Sequence, residues 1–195
     1  MRCLYCYNPE IVLGKGRLTV EDVLLFLTKR QNLLDAVVFS GGECLLHKEI
    51  EGLIQKVKKM GFLVKIDTNG SKPELLQELI EKGLVDYVAL DFKALEADFE
   101  NITQSKLFSV FEKSLQTLIK TNVGFEVRTT VHSDLIPETA VQSMVTYLKT
   151  QRYKGNYYLQ YFINGVPTLG KLGYSSQNLE AEKLSTKTIQ VQIRG

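Results

Sequence analysis

The strongest constraint on the fold is a regular alternation of short apolar runs, rich in β-branched residues, with amphipathic helical segments. The apolar runs are "DAVVFSGGE", "LVKIDTNG", "VDYVALDFK", "GFEVRTTVH" and "NYYLQYF". Helical spacing of apolar residues marks the segments between them, and Thr19 with Asp22 three residues later predicts the start of the first such helix. This alternation predicts an α/β fold with parallel strands joined by right-handed crossovers. A final run, "TIQVQIR", either adds an edge strand or packs beside the sheet.

Length and composition narrow the class of protein. The chain has 195 residues, which predicts a single domain over residues 1–195. Its net charge of +2 is too small to form a nucleic-acid-binding surface. No apolar run of about 18 residues is present to span a bilayer, and the first residues lack the layout of a signal peptide. We therefore expect a cytoplasmic protein that binds neither nucleic acid nor membranes.

Polar residues and glycines stand at the carboxyl ends of four successive predicted strands. They are Gly41, Gly42 and Glu43 after the first, Asp67, Thr68, Asn69 and Gly70 at the second, Asp91 and Lys93 at the third, and Arg128, Thr130 and His132 at the fourth. Taken singly, each group is explained as a turn or a local ion pair. Ligands of parallel α/β folds bind at the carboxyl ends of strands, where loops and free N–H groups converge. The repetition therefore predicts one shared binding site.

Two of the three cysteines, Cys3 and Cys6, form a Cys-x-x-Cys motif near the first residue. Such a motif supplies ligands to zinc, forms a redox pair, or contributes to an iron–sulfur site. A zinc site needs four ligands, and only Cys44, His47 and His132 remain as soft donors. A thioredoxin-like pair follows a strand and caps a helix, and no strand precedes this one in the sequence. The shortage of ligands disfavours a zinc site, and the missing strand disfavours a redox pair.

The motifs "RCLYCYNPE", "FSGGECLL", "IDTNG", "DFK" and "VRTTVH" together resemble the radical S-adenosylmethionine (SAM) superfamily. The resemblance extends from Arg2 to the closing "VQIRG", and among the activating enzymes of glycyl radical enzymes it is closest to the anaerobic ribonucleoside-triphosphate reductase activating proteins. It implies a partial parallel (β/α) barrel that binds a [4Fe-4S] cluster and SAM. The family cleaves SAM reductively to a 5′-deoxyadenosyl radical and so generates a glycyl radical on a partner enzyme. The implied partners are an anaerobic ribonucleotide reductase and, as electron donor, a flavodoxin or ferredoxin.

The resemblance also implies roles for individual residues. Cys3 and Cys6 match the second and third cluster cysteines, and Tyr5 between them matches an aromatic residue near the adenine. The other matching positions are Gly41, Gly42 and Glu43 for the methionyl ammonium, Thr68 and Asn69 for methionine or ribose, Asp91 and Lys93 as an Asp-x-Lys pair typical of the activating enzymes, and Arg128 and His132 for the SAM carboxylate and ribose.

The match departs from the family pattern at the first cluster cysteine, which the family places four positions before Cys3. The first strand of the barrel is missing with it. We therefore expect that Met1 is an internal methionine, that the radical SAM domain is truncated at its N-terminus, and that the natural protein begins with a strand and another cysteine. Without them, the chain would hold a cluster poorly, be inactive for that reason, and leave one sheet edge open. Cys44 is interpreted as a bystander thiol rather than a substitute ligand.

The sequence leaves two other functions open. One is a small radical SAM enzyme for a small molecule, similar to the 7-carboxy-7-deazaguanine synthases. The other is a cluster-free docking module without catalysis, which the missing cysteine would favour. Glycyl-radical formation on a partner separates the activating enzyme from the first alternative, and iron and sulfide content separates it from the second.

Overall fold

The predicted strand–helix alternation is confirmed by the computed structural model, which describes residues 1–14, 16–176 and 178–194. The strands are β1 (Ala36–Phe39), β2 (Leu63–Thr68), β3 (Tyr87–Asp91), β4 (Gly124–Val131), β5 (Gly155–Tyr161) and β6 (Ile189–Arg194). The α-helices are α1 (Pro9–Leu13), α2 (Val20–Thr28), α3 (Ile50–Lys59), α4 (Pro73–Glu81), α5 (Glu96–Thr103), α6 (Phe108–Lys120), α7 (Glu138–Thr150) and α8 (Ala181–Leu184). Within the described ranges, no helix combines the length and the apolarity needed to cross a bilayer.

All six strands form one parallel sheet in the order β1-β2-β3-β4-β5-β6. Neighbours in the sheet are therefore neighbours in the chain, as a series of βα units requires. The final run forms β6, which pairs with β5 from Gly155 opposite Ile189 to Gln160 opposite Arg194. A sequential parallel sheet with intervening helices is the architecture of a partial (β/α) barrel, as predicted.

The core lies between the sheet and the helices. Val64 and Ile66 of β2 are almost fully buried, whereas the alternating residues Lys65 and Asp67 point to the other face. Phe92, just after β3, stacks on Phe111 of α6 with ring centroids 4.9 Å apart. Burial of each such side chain contributes roughly 1.5–3 kcal/mol. The helix-covered face is thus apolar, and the other face is left for polar chemistry.

The start of α2 confirms the expected cap. The Thr19 hydroxyl accepts from the Asp22 N–H, and the Asp22 carboxylate accepts from the Thr19 N–H, which is a complete capping box. The first strand differs from expectation, because a run such as "AVVF" suggests a strand buried on both faces. Instead Val38 is 53% exposed and only Phe39 of β1 is buried. The reason is position: β1 is an end strand, and no strand of the described residues pairs with its outer edge.

Candidate cofactor site

A polar cavity of about 260 Å³ lies at the carboxyl ends of β1 to β5. Its lining includes nine of the residues to which the resemblance gave a role: Cys3, Tyr5, Cys6, Gly41, Gly42, Asn69, Asp91, Lys93 and Arg128. A wider hollow of about 810 Å³ lies beside α1, but it is more open and none of the nine lines it. The cavity at the strand ends therefore carries the convergent chemistry, and it is the candidate site.

The two N-terminal cysteines reach the cavity because main-chain hydrogen bonds hold the segment around them. The Arg2 and Leu4 N–H groups donate to the carbonyls of Thr103 and Ile102 at the end of α5, each at 2.9 Å. A turn closed by the Cys6 N–H and the Cys3 carbonyl then brings both thiols to the lining. Burial raises the pKa of the Cys3 thiol, although nearby Lys93 opposes the rise. Cys3 therefore rests as a neutral thiol that must lose its proton to bind a metal.

Ion pairs between neighbouring strands form the charged floor of the cavity. Arg128 of β4 places Nη2 at 2.8 Å from Oδ1 of Asp91 and Nη1 at 3.0 Å from Oδ2 of Asp67. Lys93 lies 3.1 Å from the other oxygen of Asp91. Burial disfavours the charged form of Asp91, but Lys93 and Arg128 together outweigh it and lower the pKa of that carboxyl. The Asp91 carboxylate thus remains ionised at neutral pH between two cations.

The lowered pKa of Asp91 predicts how the stability of this floor depends on pH. Ionisation is favoured in the folded state, so the contribution of Asp91 is present above its unfolded pKa of about 4 and is lost as pH falls through the lower folded value. We expect Asp91→Asn to lower the free energy of unfolding at pH 7 by about 2–4 kcal/mol. Urea unfolding at pH 7 and near pH 3 checks this. If the difference in unfolding free energy between Asp91→Asn and the unmodified protein were the same at both pH values, the lowered pKa of Asp91 would be contradicted.

The Glu43 carboxylate, to which the resemblance assigns the SAM ammonium, does not line the cavity and lies behind it. It accepts hydrogen bonds from the Asn69 N–H at 2.7 Å, the Thr68 hydroxyl at 2.9 Å and the Leu45 N–H at 3.2 Å. Burial raises its pKa, and these three donors oppose the rise. Glu43 and Thr68 thus tie the loop after β1 to the end of β2, and this tie positions Gly41, Gly42 and Asn69.

Removing the Glu43 carboxylate should therefore destabilise the fold. Glu43→Ala leaves two N–H groups and one hydroxyl buried without partners, so we expect the free energy of unfolding to fall by about 2–4 kcal/mol. Glu43→Gln keeps one acceptor oxygen and should cost less. Chemical denaturation of both variants measures the difference, and equal stability of the two would refute the proposed tie.

His132, like Glu43 and Thr68, does not line the cavity. It is fully buried, its Nδ1 accepts from the Asp134 N–H, and its Nε2 lies 3.1 Å from the Gly173 carbonyl. Its ring packs edge-on against Phe162. Both ring nitrogens are therefore engaged by main-chain groups.

Several lining residues were given no role by the resemblance: Ser40, Asp67, Thr130 and Gln160 are among them. The strand-end rule already included Asp67 and Thr130, and its extension to β5 would have found Gln160, because β5 pairs with β4 and ends beside it. Asp67 is the most informative, since its Oδ1 is buried, accepts no hydrogen bond from the described residues and has the Lys65 ammonium 3.7 Å away. A buried acceptor without a hydrogen bond is costly, and a ligand bearing an N–H donor would supply one.

Comparison with known proteins places this geometry in a family. The model of the radical SAM superfamily matches residues 1–147, which is well over half of the chain and includes both cysteines and Arg128. The chain belongs to the radical SAM superfamily. The sequence resemblance and the predicted barrel are thereby confirmed.

Curated relatives of this radical SAM protein include activating enzymes. A protein of Methanocaldococcus jannaschii described as a glycyl-radical enzyme activating enzyme is 33% identical over 159 residues, covering 76% of this chain and 64% of the relative. The pyruvate formate-lyase-activating enzyme of Clostridium pasteurianum is 31% identical over 134 residues, covering 65% of this chain and 55% of the relative. The chain thus spans about three fifths of the relatives it matches. The solved structure of native anSMEcpe with bound AdoMet shares the fold, with a TM-score of 0.68 at 20% identity over 89% of this chain and 51% of that one.

The cofactors of the superfamily are a [4Fe-4S] cluster and SAM, as predicted, and the residues of the cavity fit both in chemical type. SAM carries an ammonium, a sulfonium and a carboxylate, and the floor offers carboxylates and cations, among them the Asp67 Oδ1 atom, which accepts no hydrogen bond from the described residues. The cluster needs thiolates, and Cys3 and Cys6 are the two thiols that line the cavity. Among the described residues, no group of three or more metal-ligating side chains is assembled. The described part of the cavity lining therefore offers two candidate thiols.

Proposed function

We propose that this radical SAM protein is an activating enzyme that generates a glycyl radical on a partner enzyme in the cytoplasm. The observation that carries the proposal is the convergence of Cys3 and Cys6 with the charged strand-end residues on one cavity. The similarity of the chain to two activating enzymes supports the same reaction class. When bound, the cluster and SAM supply the reductive chemistry that yields the 5′-deoxyadenosyl radical.

The residues of this chain would bind and orient those cofactors. Cys3 and Cys6 provide two thiolates, and we propose that the third comes from a cysteine that precedes Met1 in a longer form of the protein. The Arg128 guanidinium has the fork geometry that suits the SAM carboxylate, and Asp67 offers an acceptor for the SAM ammonium. Tyr5 lies between the two cysteines, buried against the cavity, where it would pack near the adenine. Gly41 and Gly42 would let SAM approach the backbone closely.

Cys44 is proposed to stand outside this ligand set, because its thiol is not part of the cavity lining and lies 3.5 Å from the Asp67 carbonyl. Burial first, and then the nearby carboxylates of Glu43 and Asp67, raise its pKa to about 12. The third ligand is thus proposed to lie outside the described residues.

The partner proposed for this activating enzyme is an anaerobic ribonucleotide reductase, with a flavodoxin or ferredoxin as electron donor. A glycine-bearing loop of the partner would enter the mouth of the barrel. The small-molecule alternative predicts turnover of a free substrate instead. Glycyl-radical formation on added reductase, seen by electron paramagnetic resonance, distinguishes the two.

Anaerobic reconstitution of two forms tests the proposed function. One form is the 195-residue chain, and the other is extended upstream in the reading frame. The reduced samples are compared by electron paramagnetic resonance with and without SAM. We expect only the extended form to show a four-iron cluster whose signal shifts with SAM. Absence of a cluster from both forms would refute the activating-enzyme proposal and leave the docking module as the better explanation.

A further inference from the structure

The segment after β5, residues 163–176, crosses from the strand ends of β4 and β5 to the N-terminal cysteines, and we call it the strap. Its two ends are joined to each other beside β4. The Asn164 side chain donates to the Ser175 carbonyl at 2.9 Å and accepts from the Ser175 N–H at 2.8 Å. The Ser175 hydroxyl accepts from the Ser133 N–H at 3.1 Å, and His132 contacts the Gly173 carbonyl. The strap is therefore anchored independently of the cysteines.

The middle of the strap pairs with the cysteine loop, residues 3–6. The Gly170 N–H donates to the Leu4 carbonyl at 2.8 Å, and the Leu169 N–H donates to the Cys6 carbonyl at 3.1 Å. The Thr168 hydroxyl donates to the Gly170 carbonyl at 2.6 Å and so stiffens this turn. Since α5 holds the Leu4 N–H on the opposite side, the loop is clamped between two fixed main-chain edges.

Gly170 makes this clamp sensitive to a single methyl group. A Cβ at Gly170 would lie 2.9 Å from Cβ and 3.1 Å from Cα of Leu4, which is a residue between the two metal-binding candidates Cys3 and Cys6. Contacts of that length force atoms to move, and the backbone of Leu4 is one of those that must shift. By contrast, a Cβ at Gly173 on the same strap would meet only the Asp134 carboxylate, at an ordinary 3.6 Å.

From these contacts we infer that the strap is a positioning element for the cysteine loop and that Gly170 sets the distance between them. Neither Gly170 nor Leu4 lines the cavity. Their effect is to place the Cys3 and Cys6 thiols there. His132 acts in the same element, since it holds the Gly173 carbonyl at the anchored end. The inference rests on the proposed function only in taking Cys3 and Cys6 as cluster ligands.

Alkylation of the cysteines by iodoacetamide tests the strap without any cofactor. Cys3 is 7% exposed and Cys44 is 4% exposed, so both report opening of the folded chain, and Cys44 serves as an internal control outside the strap pairing. We expect Gly170→Ala to label at Cys3 at least about fivefold faster than the unmodified chain, because local opening governs the reactivity of a buried group. Labelling at Cys44 should be unchanged, and Gly173→Ala should leave both rates unchanged.

A second variant covers the case in which Gly170→Ala does not fold. Asn164→Ala removes two hydrogen bonds at the anchored end and adds no bulk near Leu4. This variant should also accelerate labelling of Cys3 and leave labelling of Cys44 unchanged. Unchanged labelling of Cys3 in the folded variants, or equal acceleration at Cys3 and Cys44, would overturn the inference.

Cluster spectroscopy then gives a readout that separates this inference from the proposed function. In reconstituted protein, Gly170→Ala should retain less iron per chain and show an altered electron paramagnetic resonance signal, whereas Gly173→Ala should match the unmodified protein. Failure of every form to bind iron would count against the proposed function, and the alkylation rates would still decide whether the strap positions the loop.

Discussion

Replacing either Cys3 or Cys6 by alanine should abolish the iron–sulfur cluster in the form of the protein that carries it. Both thiols line the same cavity, and loss of one ligand from a three-thiolate site leaves an iron without protein support. We expect iron and sulfide per chain to fall to background after anaerobic reconstitution, together with the SAM-dependent shift of the reduced cluster signal.

Cys44→Ala is the matched control for these two variants. Cys44 is as buried as Cys3 but lies outside the cavity lining. Its replacement should leave iron content unchanged and cost only the packing of a small apolar side chain. A cluster that survives in Cys3→Ala, or one that is lost in Cys44→Ala, would show that the ligand set is wrongly assigned.

Replacing Arg128 by alanine should produce the second large effect, a loss of affinity for SAM. Arg128 joins Asp67 to Asp91, and its removal leaves Asp91 with Lys93 and leaves Asp67 with Lys65, which lies 3.7 Å away. The SAM carboxylate would then lose a guanidinium donor and meet two carboxylates with less positive charge between them. We expect affinity to fall at least about 30-fold, which corresponds to roughly 2 kcal/mol or more for removing one partner of a buried charge network. Equilibrium dialysis with labelled SAM measures this.

Arg194 of β6 provides the comparison. It is an arginine on the same face of the sheet, it forms a bidentate pair with Glu126 at 3.0 and 3.2 Å, and it does not line the cavity. Arg194→Ala should lower stability, because the Glu126 carboxylate is only 4% exposed and loses its main partner. Its affinity for SAM should stay near that of the unmodified protein. Equal losses of affinity in the two variants would mean that Arg128 acts through stability alone.

Patterns that depend on neighbouring residues were readable from the sequence. Alternation of strands and helices determines a parallel sheet because a βα unit packs back in only one sense, and the capping box at Thr19 depends on Asp22 three residues away. The strand-end rule found most of the cavity for the same reason: parallel strands bring their carboxyl ends to one edge whatever their sequence. The signature of Cys3 and Cys6 with the Gly-Gly-Glu motif then identified the superfamily, which the match over residues 1–147 confirms.

What the tertiary structure alone decided is how the polar groups are shared among partners. Asp67 and Arg128 are 61 residues apart, and their pairing depends on the register of three strands, which no local pattern encodes. Glu43 and His132, which the resemblance assigns to SAM, have partners within the fold: Glu43 bonds to the end of β2, and His132 contacts the strap. The clamp on the cysteine loop is likewise invisible in sequence, because Gly170 and Leu4 meet only through the path of the chain. Sequence determined which groups converge. Three-dimensional packing determined which of them keep an atom free for a ligand. The reason is that each buried polar atom must satisfy its hydrogen bonds with the groups that lie nearest to it.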